Sequence, residues 1–314
     1  MILRRLDDLQ RRHPVLGFSY AVVRKYLDDG GIREAALITY YGFLSLFPTL
    51  LLGVVIVSEV LARRPDLSAE VVAAIVPPVL QDGVESALAS LSASSAALVA
   101  GVIGLVFSGI GVVVSAYETL NHLAAVPFRR RAGVAGRYLR VVAALAVILA
   151  GTVTVGGLTV ASTALTALPA LSRVAALIGS FAVAFAVLVV VTKTLLTRRA
   201  PFASLWPGAV TGAVAVTLVL NLGASVLPEL VRRAGRVYGG FATVAGVFTL
   251  LYVMSNLLVL AAEVAAVRHG RLWPRALQES RPSEADARAM SLLAREQERI
   301  PAAGIDYVLR DPPS

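Results

Sequence analysis

The chain alternates between long apolar runs and short polar segments, and six of the runs are long enough to cross a membrane. A helix rises 1.5 Å per residue, so about 20 apolar residues span the ~30 Å hydrocarbon core of a bilayer. The six runs lie at about 35–61, 95–120, 139–163, 174–196, 206–227 and 239–267. Their lengths predict an all-α polytopic membrane protein with six transmembrane helices.

The first run is marked by a proline near its centre. Pro48 follows Tyr40, Tyr41 and Ser45, and Glu59 is the only charged residue of the run. An interior proline costs a soluble helix about 3 kcal/mol, but in a membrane neighbouring helices satisfy the carbonyl group that it frees. The segment is therefore typical of a membrane helix.

The composition agrees with a membrane protein. Hydrophobic residues make up 57% of the chain and charged residues only 16%, against about 25% charged residues in average globular proteins. The chain has no cysteine, which excludes disulfide frameworks, thiolate metal sites and cysteine nucleophiles. The N-terminal segment is too charged for a cleavable signal peptide, so we expect the first span to direct insertion.

The basic residues between the runs predict the orientation. They concentrate in the N-terminal segment, the second and fourth loops and the tail, which places both termini in the cytoplasm by the positive-inside rule. These residues are Arg4, Arg5, Arg11, Arg12, Arg24, Lys25, Arg33, Arg129, Arg130, Arg131, Arg137, Arg198, Arg199, Arg268, Arg271 and Arg275. The fifth loop is an exception, because Arg232, Arg233 and Arg236 lie on the predicted outer side.

This topology divides the chain into three parts. They are a cytoplasmic N-terminal segment at 1–33, a six-helix transmembrane domain at 34–268 and a cytoplasmic tail at 269–314. Within the first part, the apolar pattern of 15–27 predicts an amphipathic helix. Two placements of this helix are open, one at the membrane interface and one against its own bundle.

The tail differs in character from the membrane domain. Ser283 and Asp286 have the spacing of a capping box, which predicts a mixed-charge helix that ends near Arg299. The polar composition beyond that helix indicates disorder. We expect a solvated tail without a function of its own.

Four motifs along the chain resemble those of one family of bacterial inner-membrane proteins, the YihY/BrkB family. The first is the segment 36–51, where tyrosines precede Ser-Leu-Phe-Pro, and the second is SAYETLN near the end of the second run. The others are the Pro-Gly-Ala start of the fifth run and the last run, which begins Tyr-Gly and ends on Ala-Glu. The residues that mark these motifs are Tyr40, Asn121, Pro207, Gly208, Tyr238 and Gly239. The resemblance covers about 24–268 in the same order and spacing.

The resemblance implies a multi-pass protein of the bacterial plasma (inner) membrane. Members of this family were widely labelled ribonuclease BN, and some were linked to virulence, but their activity is largely unassigned. The resemblance therefore implies six membrane helices and a location, and it implies no substrate.

Small residues recur on one face of the second run. Gly101, Gly104, Ser108 and Gly111 are separated by three or four positions, which is the spacing of one helix face. Small residues let helix backbones approach closely in lipid, where packing replaces the hydrophobic drive. This face therefore predicts helix packing.

Polar residues within other runs predict a polar interior. Tyr41, Ser45 and Pro48 share a face of the first run, while Asn221 and Asn256 lie in the fifth and last runs. Because polar groups that face lipid are costly, we expect these residues to face one another or water. The interior is either a closed hydrogen-bonded core or a cavity, and in a cavity these five residues are candidates to line a substrate path.

Three carboxylates fall at the predicted cytoplasmic ends of their runs, Glu34, Glu118 and Glu263. The cations nearby in the sequence-based topology are Arg33, Arg129, Lys193 and Arg268. Two interpretations are open for the carboxylates. They form either a ring of salt bridges that fixes the helix ends, or part of a cytoplasmic gate or proton-sensitive site.

No enzymatic function is expected. His13, His122 and His269 are scattered without the spacing of a metal site, and no P-loop, G-x-S-x-G or Cys-x-x-Cys motif occurs. Binding of single-stranded nucleic acid needs aromatic residues interleaved with basic ones in soluble segments, and these are absent. We therefore expect no catalytic residue, no metal, no cofactor and no nucleic-acid partner.

The leading hypothesis is a transporter or flippase that moves a lipid-like or small amphipathic substrate through the polar interior. The alternative is a non-transporting scaffold that supports cell-envelope assembly or virulence through its first loop or its tail. A regulatory sensor is a third hypothesis, although no signalling domain is recognisable. The expected partners are the lipid bilayer, a lipid or small-molecule substrate and other copies of the chain, as a homo-oligomer.

Overall fold

The structure is a computed structural model that describes residues 2–63, 95–164, 169–278, 282–302 and 304–308. Within these ranges all regular secondary structure is helical. The described α-helices are α1 Ile2–Arg12, α2 Pro14–Asp28, α3 Gly31–Arg63, α4 Ser95–Leu123, α5 Val134–Ala164, α6 Pro169–Leu195, α7 Phe202–Tyr238, α8 Gly240–Gly270 and α9 Glu284–Glu296. A short 3-10 helix, Phe128–Arg130, follows α4.

Four of these helices are long and apolar enough to cross a membrane. The candidate spans are Val134–Leu158, Val174–Leu195, Phe202–Gly223 and Gly240–Gly270. All six predicted runs coincide with helices, because α3 and α4 contain the first two. The all-helical membrane architecture is therefore confirmed, while the count of six spans and the cytoplasmic placement of the termini stay predictions.

Helix α7 extends farther than the sequence pattern predicts. The fifth run ends near 227, but α7 continues through Pro228 to Tyr238. In this extension Glu229 accepts hydrogen bonds of 2.6 Å from Arg232 and from Arg233, and such i,i+3 and i,i+4 pairs stabilise a helix surface. The pairs also offset part of the positive charge that made the fifth loop an exception to the orientation pattern.

The long helices α3 to α8 form a closed ring. Each packs against the next helix along the chain, and α8 packs against α3 as well as α7. Helix α4 also contacts α6 and α8 across the ring. The approach of α7 to α8 depends on Gly208, where a Cβ atom would lie 2.6 Å from the Ala261 carbonyl oxygen.

Helix α2 lies against the end of α8. Ala21 and Val22 of α2 are buried in one cluster with Val267 at the end of α8 and Leu272 just beyond it. Gly30 then turns the chain into α3 with a φ of +67°, a left-handed conformation that glycine adopts without strain. The apolar residues left exposed on α2 are Val15, Leu16, Val23 and Leu27. The helix therefore packs on its own bundle with one face and presents a second apolar face outward.

The described part of the tail packs on the bundle, so the expectation of a solvated tail is wrong. Arg275 is 2% exposed and binds Asp28 of α2 at 2.8 Å as well as Asp286 of α9. The predicted capping box is present, since Ser283 and Asp286 bond to each other's backbone N–H groups. Glu296, at the end of α9, is buried. The charges that suggested a solvated helix are instead the groups that dock it.

Candidate functional site

A buried lysine lies where α2, α4 and α8 meet. The Lys25 ammonium is 3.0 Å from the carboxylate of Glu263 in α8 and binds the carboxylate of Asp29. It also donates a hydrogen bond of 2.9 Å to the carbonyl oxygen of Leu123 at the end of α4. We call Lys25, Asp29 and Glu263 the Lys25 cluster.

The Lys25 cluster contains one cation for two carboxylates. Glu263 is 0% exposed, and neither of its carboxylate oxygens has a hydrogen-bond partner of good geometry. One oxygen of Asp29 is also buried without a partner. Burial lowers the pKa of Lys25, but the charges of Glu263 and Asp29 outweigh burial and raise that pKa above its ordinary value. The lysine therefore stays protonated between two carboxylates whose hydrogen-bonding capacity is not filled.

His122 connects the Lys25 cluster to the tail. Its Nδ1 atom lies 2.9 Å from both carboxylate oxygens of Glu296, and its Nε2 atom lies 3.0 Å from the carbonyl oxygen of Asp29. Both partners are acceptors, so both ring nitrogens must donate, which requires the protonated imidazolium. The hydrogen bond to Glu296 accordingly raises the pKa of His122 to about 9, against the opposing effect of burial.

Glu118 lies at the outer end of this chain of contacts. Its carboxylate binds Arg131 at 2.9 Å and Arg137 at 3.1 Å. Arg131 also binds Glu296, at 2.5 Å. A continuous series of polar contacts thus runs from the Lys25 cluster through His122 and Glu296 to Glu118.

Glu34 of α3 has partners outside this series of contacts. It accepts a hydrogen bond of 2.8 Å from Thr119 of α4, and Arg33 lies 3.3 Å from its other oxygen. The three carboxylates singled out in the sequence therefore have different partners and do not form one ring. Of the cations named with them, only Arg33 binds one of the three, because α2, the loop after α4 and the first turn of α5 supply the other partners.

The five candidate path residues have different surroundings in the structure. Tyr41 and Pro48 pack on the small-residue face of α4, where a Cβ atom at Gly111 would lie 2.7 Å from Tyr41 and one at Gly104 would lie 3.0 Å from Pro48. The hydroxyl of Ser45 donates to the carbonyl oxygen of Gly42 in its own helix.

The two asparagines among the path residues face different surroundings. Asn256 accepts a hydrogen bond from the hydroxyl of Tyr26, so its face of α8 is covered by α2. Asn221 is exposed and donates to Thr217 within α7. It is nine positions from Gly212, about half a turn around the helix, and Gly212 lies against α6 and α8. A role of any of the five in binding substrate stays a prediction.

On the small-residue face of α4, Ser108 donates to the carbonyl oxygen of Gly104. Gly101 lies on the same helix, and its contacts lie outside the described part of the structure. This face meets α3 through Gly104 and Gly111.

Several of the family-motif residues hold helix ends in place. Asn121 donates to the carbonyl oxygens of Tyr117 at 2.8 Å and Leu195 at 3.0 Å, and its side-chain oxygen accepts from Thr197 N–H at 3.0 Å. It therefore joins the end of α4 to the end of α6. Gly239, with a φ of +56°, separates α7 from α8.

Pro207 and Gly208 lie in the second turn of α7, and Tyr238 is its last residue. Tyr40 is half exposed, and its ring contacts the ring of Tyr41 edge-on with centroids 5.3 Å apart.

The sequence pattern did not identify His122, Glu296 or Arg275 as buried partners. A signal existed for Lys25, since it lies four positions before Asp29 on a helix whose neighbouring turns are apolar. No local signal links His122 to Glu296, because they are far apart in the chain and meet only when the tail docks.

Comparison with known families identifies the family of the chain. The model of the family described as Virulence factor BrkB matches residues 22–286. No curated protein and no solved structure matches the chain. The match includes the second half of α2, the six long helices and the start of α9, so it covers every residue of the Lys25 cluster.

Proposed function

The chain belongs to the Virulence factor BrkB family, and from that premise and the Lys25 cluster we propose that it is a membrane transporter or flippase. Its substrate is lipid-like or a small amphipathic molecule. The observation that carries the proposal is the complete burial of Glu263 in the last long helix beside Lys25. Ionisable groups inside membrane domains are costly, and they commonly serve ion or substrate pathways.

The position of the cluster supports a gating role. Lys25 touches the end of α4 and the side of α8, and α2 leads directly into α3. Separating Lys25 from Glu263 would weaken the contact between α2 and α8 and loosen the end of the ring at which these helices meet. The unfilled hydrogen-bonding capacity of both carboxylates makes this contact less stable than a fully satisfied one.

Three further parts of the proposal concern location, chemistry and orientation. The protein resides in the bacterial plasma membrane with six spans, and both termini, with the Lys25 cluster, lie on the cytoplasmic side. It has no enzymatic role. Substrate contacts with Tyr41, Ser45, Pro48, Asn221 and Asn256 would require rearrangement of the helices from the arrangement described above.

Reconstitution in liposomes tests the proposal. Purified protein is inserted into vesicles that hold a fluorescent lipid in one leaflet and a small amphipathic dye inside. We expect lipid exchange between leaflets or release of the dye at rates above those of protein-free vesicles. Vesicles that contain the protein and behave as protein-free ones, at both neutral and acidic pH, would exclude transport of these classes.

A scaffold function is the second candidate, and the docked tail favours it. The buried contacts of Arg275 and Glu296 give α9 a fixed place on the bundle, as a binding platform requires. The first loop, which could serve the same purpose, lies outside the described residues. Deletion of residues 276–314 separates the two candidates in cells: loss of function with normal membrane insertion and unchanged liposome transport supports the scaffold.

A further inference from the structure

Basic residues without acidic partners lie at the ends of α6 and α8, beside the start of α7. No Asp or Glu occurs between Glu118 and Glu229, a stretch that includes all of α5 and α6 and most of α7. Arg198 follows α6, and Arg268 and His269 lie in the last turn of α8. Within the described part of the chain, neither Arg198 nor Arg268 forms an ion pair.

Arg198 and Arg268 differ from four other basic residues at this end of the bundle, because Lys25, Arg131, Arg137 and Arg275 all bind carboxylates, as shown above. The Nε–H group of Arg198 is buried and has no hydrogen-bond partner. One nitrogen of Arg137 and one of Arg275 are buried in the same way, but a carboxylate compensates the charge of each of those two groups. A buried guanidinium donor without an acceptor is costly, so an anion or acceptor from outside the described chain would stabilise Arg198.

The residues lie at one end of the bundle. Arg198 precedes the start of α7, and the start of α7 packs on the last turns of α8, where a Cβ atom at Gly208 would lie 2.9 Å from the Cβ atom of Ala265. Burial lowers the pKa of the Arg198 guanidinium. The guanidinium carbon of Arg268 lies 5.6 Å from the ring centroid of Trp206. Since Trp206 is near the start of α7, the site is formed where α6 and α8 end and α7 begins.

The surroundings of the site indicate a lipid rather than a soluble anion. Trp206 and Phe202 are exposed near the start of α7, where the apolar span of that helix begins. Tryptophan concentrates at membrane–water interfaces, and basic pockets between membrane helices bind the head groups of anionic lipids. The site thus combines cations for a phosphate with exposed aromatic rings for the adjoining glycerol and acyl chain.

We propose that Arg198, Arg268 and His269 bind the phosphate of an anionic phospholipid, and that Trp206 and Phe202 contact its glycerol and upper acyl chain. The lipid belongs to the leaflet on the side of the chain termini. Arginine supplies paired N–H donors to phosphate oxygens, and His269 adds a further donor. This site is separate from the Lys25 cluster and does not depend on the transport proposal.

Native mass spectrometry of the protein in detergent tests this site. Dioleoylphosphatidylglycerol and dioleoylphosphatidylcholine are added at equal concentration, with and without excess inorganic phosphate. We expect bound phosphatidylglycerol to exceed bound phosphatidylcholine and to resist phosphate. Equal binding of the two lipids, or displacement of phosphatidylglycerol by phosphate, would overturn the proposal, the second because it identifies a site for a soluble anion.

A charge-matched pair of variants locates the binding. Each basic residue near the membrane contributes roughly 1 kcal/mol to binding of anionic lipid, so Arg198→Gln/Arg268→Gln should weaken binding about tenfold to thirtyfold. The control, Arg232→Gln/Arg233→Gln, removes two arginines from the extension of α7 and should bind as the wild type. Equal binding by all three proteins would place the lipid elsewhere and refute the assignment.

A fluorescence measurement tests the same lipid site without the double variant. The chain has two tryptophans, so Trp273→Phe leaves Trp206 as the only one. Phosphatidylglycerol with brominated acyl chains should quench Trp206 at least about threefold more than brominated phosphatidylcholine at equal mole fraction. Equal quenching by the two lipids would contradict selective binding beside Trp206.

Discussion

The ammonium of Lys25 lies 3.0 Å from the carboxylate of Glu263, and the contact joins the short helix before the first long helix to the last one. Both groups are buried, and Asp29 is the second carboxylate on the same lysine. The pair fixes the position of α2 on the bundle. It also places a charged contact where the start of α3 meets the ends of α4 and α8.

Removal of one partner of the buried pair Lys25–Glu263 should leave an uncompensated charge. Lys25→Met leaves the carboxylates of Asp29 and Glu263 without their cation, and the loss of a buried partner typically costs about 3–5 kcal/mol of folding stability. Glu263→Gln should cost less, because Asp29 still compensates Lys25. Thermal unfolding in detergent measures both. A melting temperature of Lys25→Met at or above that of Glu263→Gln would contradict this account of the charges.

The docking of α9 should depend on pH through His122. The pKa of His122 is raised to about 9 when the tail is docked, by the hydrogen bond to Glu296, against 6.5 for a free histidine. The protonated form therefore favours docking, and its contribution is full below about pH 6.5 and lost as pH rises through about 9. Arg131 also binds Glu296 and keeps part of the contact at high pH.

Hydrogen exchange of α9, corrected for intrinsic rates, measures this dependence at pH 6 and pH 9.5. Protection should fall at the higher pH in the wild type and change little in His122→Gln, which cannot titrate. The same fall in both proteins would show that another group controls docking.

Arg275 should hold the tail more strongly than any exposed arginine of α9. Arg275→Met leaves Asp28 and Asp286 without their buried partner, at a cost of several kcal/mol. The control is Arg288→Met. Arg288 is exposed, its i,i+4 pair with Glu284 contributes only about 0.5 kcal/mol, and its one contact with the bundle is an exposed hydrogen bond to the carbonyl oxygen of Arg271. Limited proteolysis should cleave residues 276–302 faster in Arg275→Met alone. Equal cleavage of the two variants would show that Arg275 does not hold the tail.

The close approach of α7 and α8 should be sensitive to one methyl group. A Cβ atom at Gly208 would lie 2.6 Å from the backbone carbonyl oxygen of Ala261, so Gly208→Ala must separate the helices. Overpacking of this kind costs about 1–3 kcal/mol. Gly156→Ala is the matched control, because its Cβ atom would meet no atom within 4 Å. Similar melting temperatures for the two variants would contradict the packing described here.

The helices could be predicted from the sequence because the signals are local. Apolar runs marked the six long helices, the spacing of Ser283 and Asp286 marked the start of α9, and small residues marked the face of α4 that meets α3. The contacts of Lys25 and of His122 could not be predicted in this way. Each joins segments that are distant in the chain and depends on how α2 and the tail dock.

The predicted polar interior shows what the polar residues on one helix face can and cannot predict. Polar residues of the first, fifth and last runs were expected to face one another or water, since lipid is a poor environment for them. The structure supplies other solutions: α2 covers Asn256, and Asn221 satisfies its amide within α7. A row of polar residues on one helix face therefore predicts that these groups have hydrogen-bond partners. It does not identify the helix that supplies the partners.

The central claim is that the contact between Lys25 and Glu263 keeps one end of a transport path closed. Liposome transport by Glu263→Gln tests it most directly, because glutamine preserves the size of the side chain and removes its charge. Glu118→Gln is the control, since Glu118 is a partly exposed carboxylate that binds two arginines outside the cluster. The account predicts lipid or dye transport by Glu263→Gln at least about fivefold faster than by the wild type, following a weakening of closure of about 1 kcal/mol, and wild-type rates for Glu118→Gln. Rates for Glu263→Gln equal to or below those of the wild type, in a correctly folded protein, would contradict it.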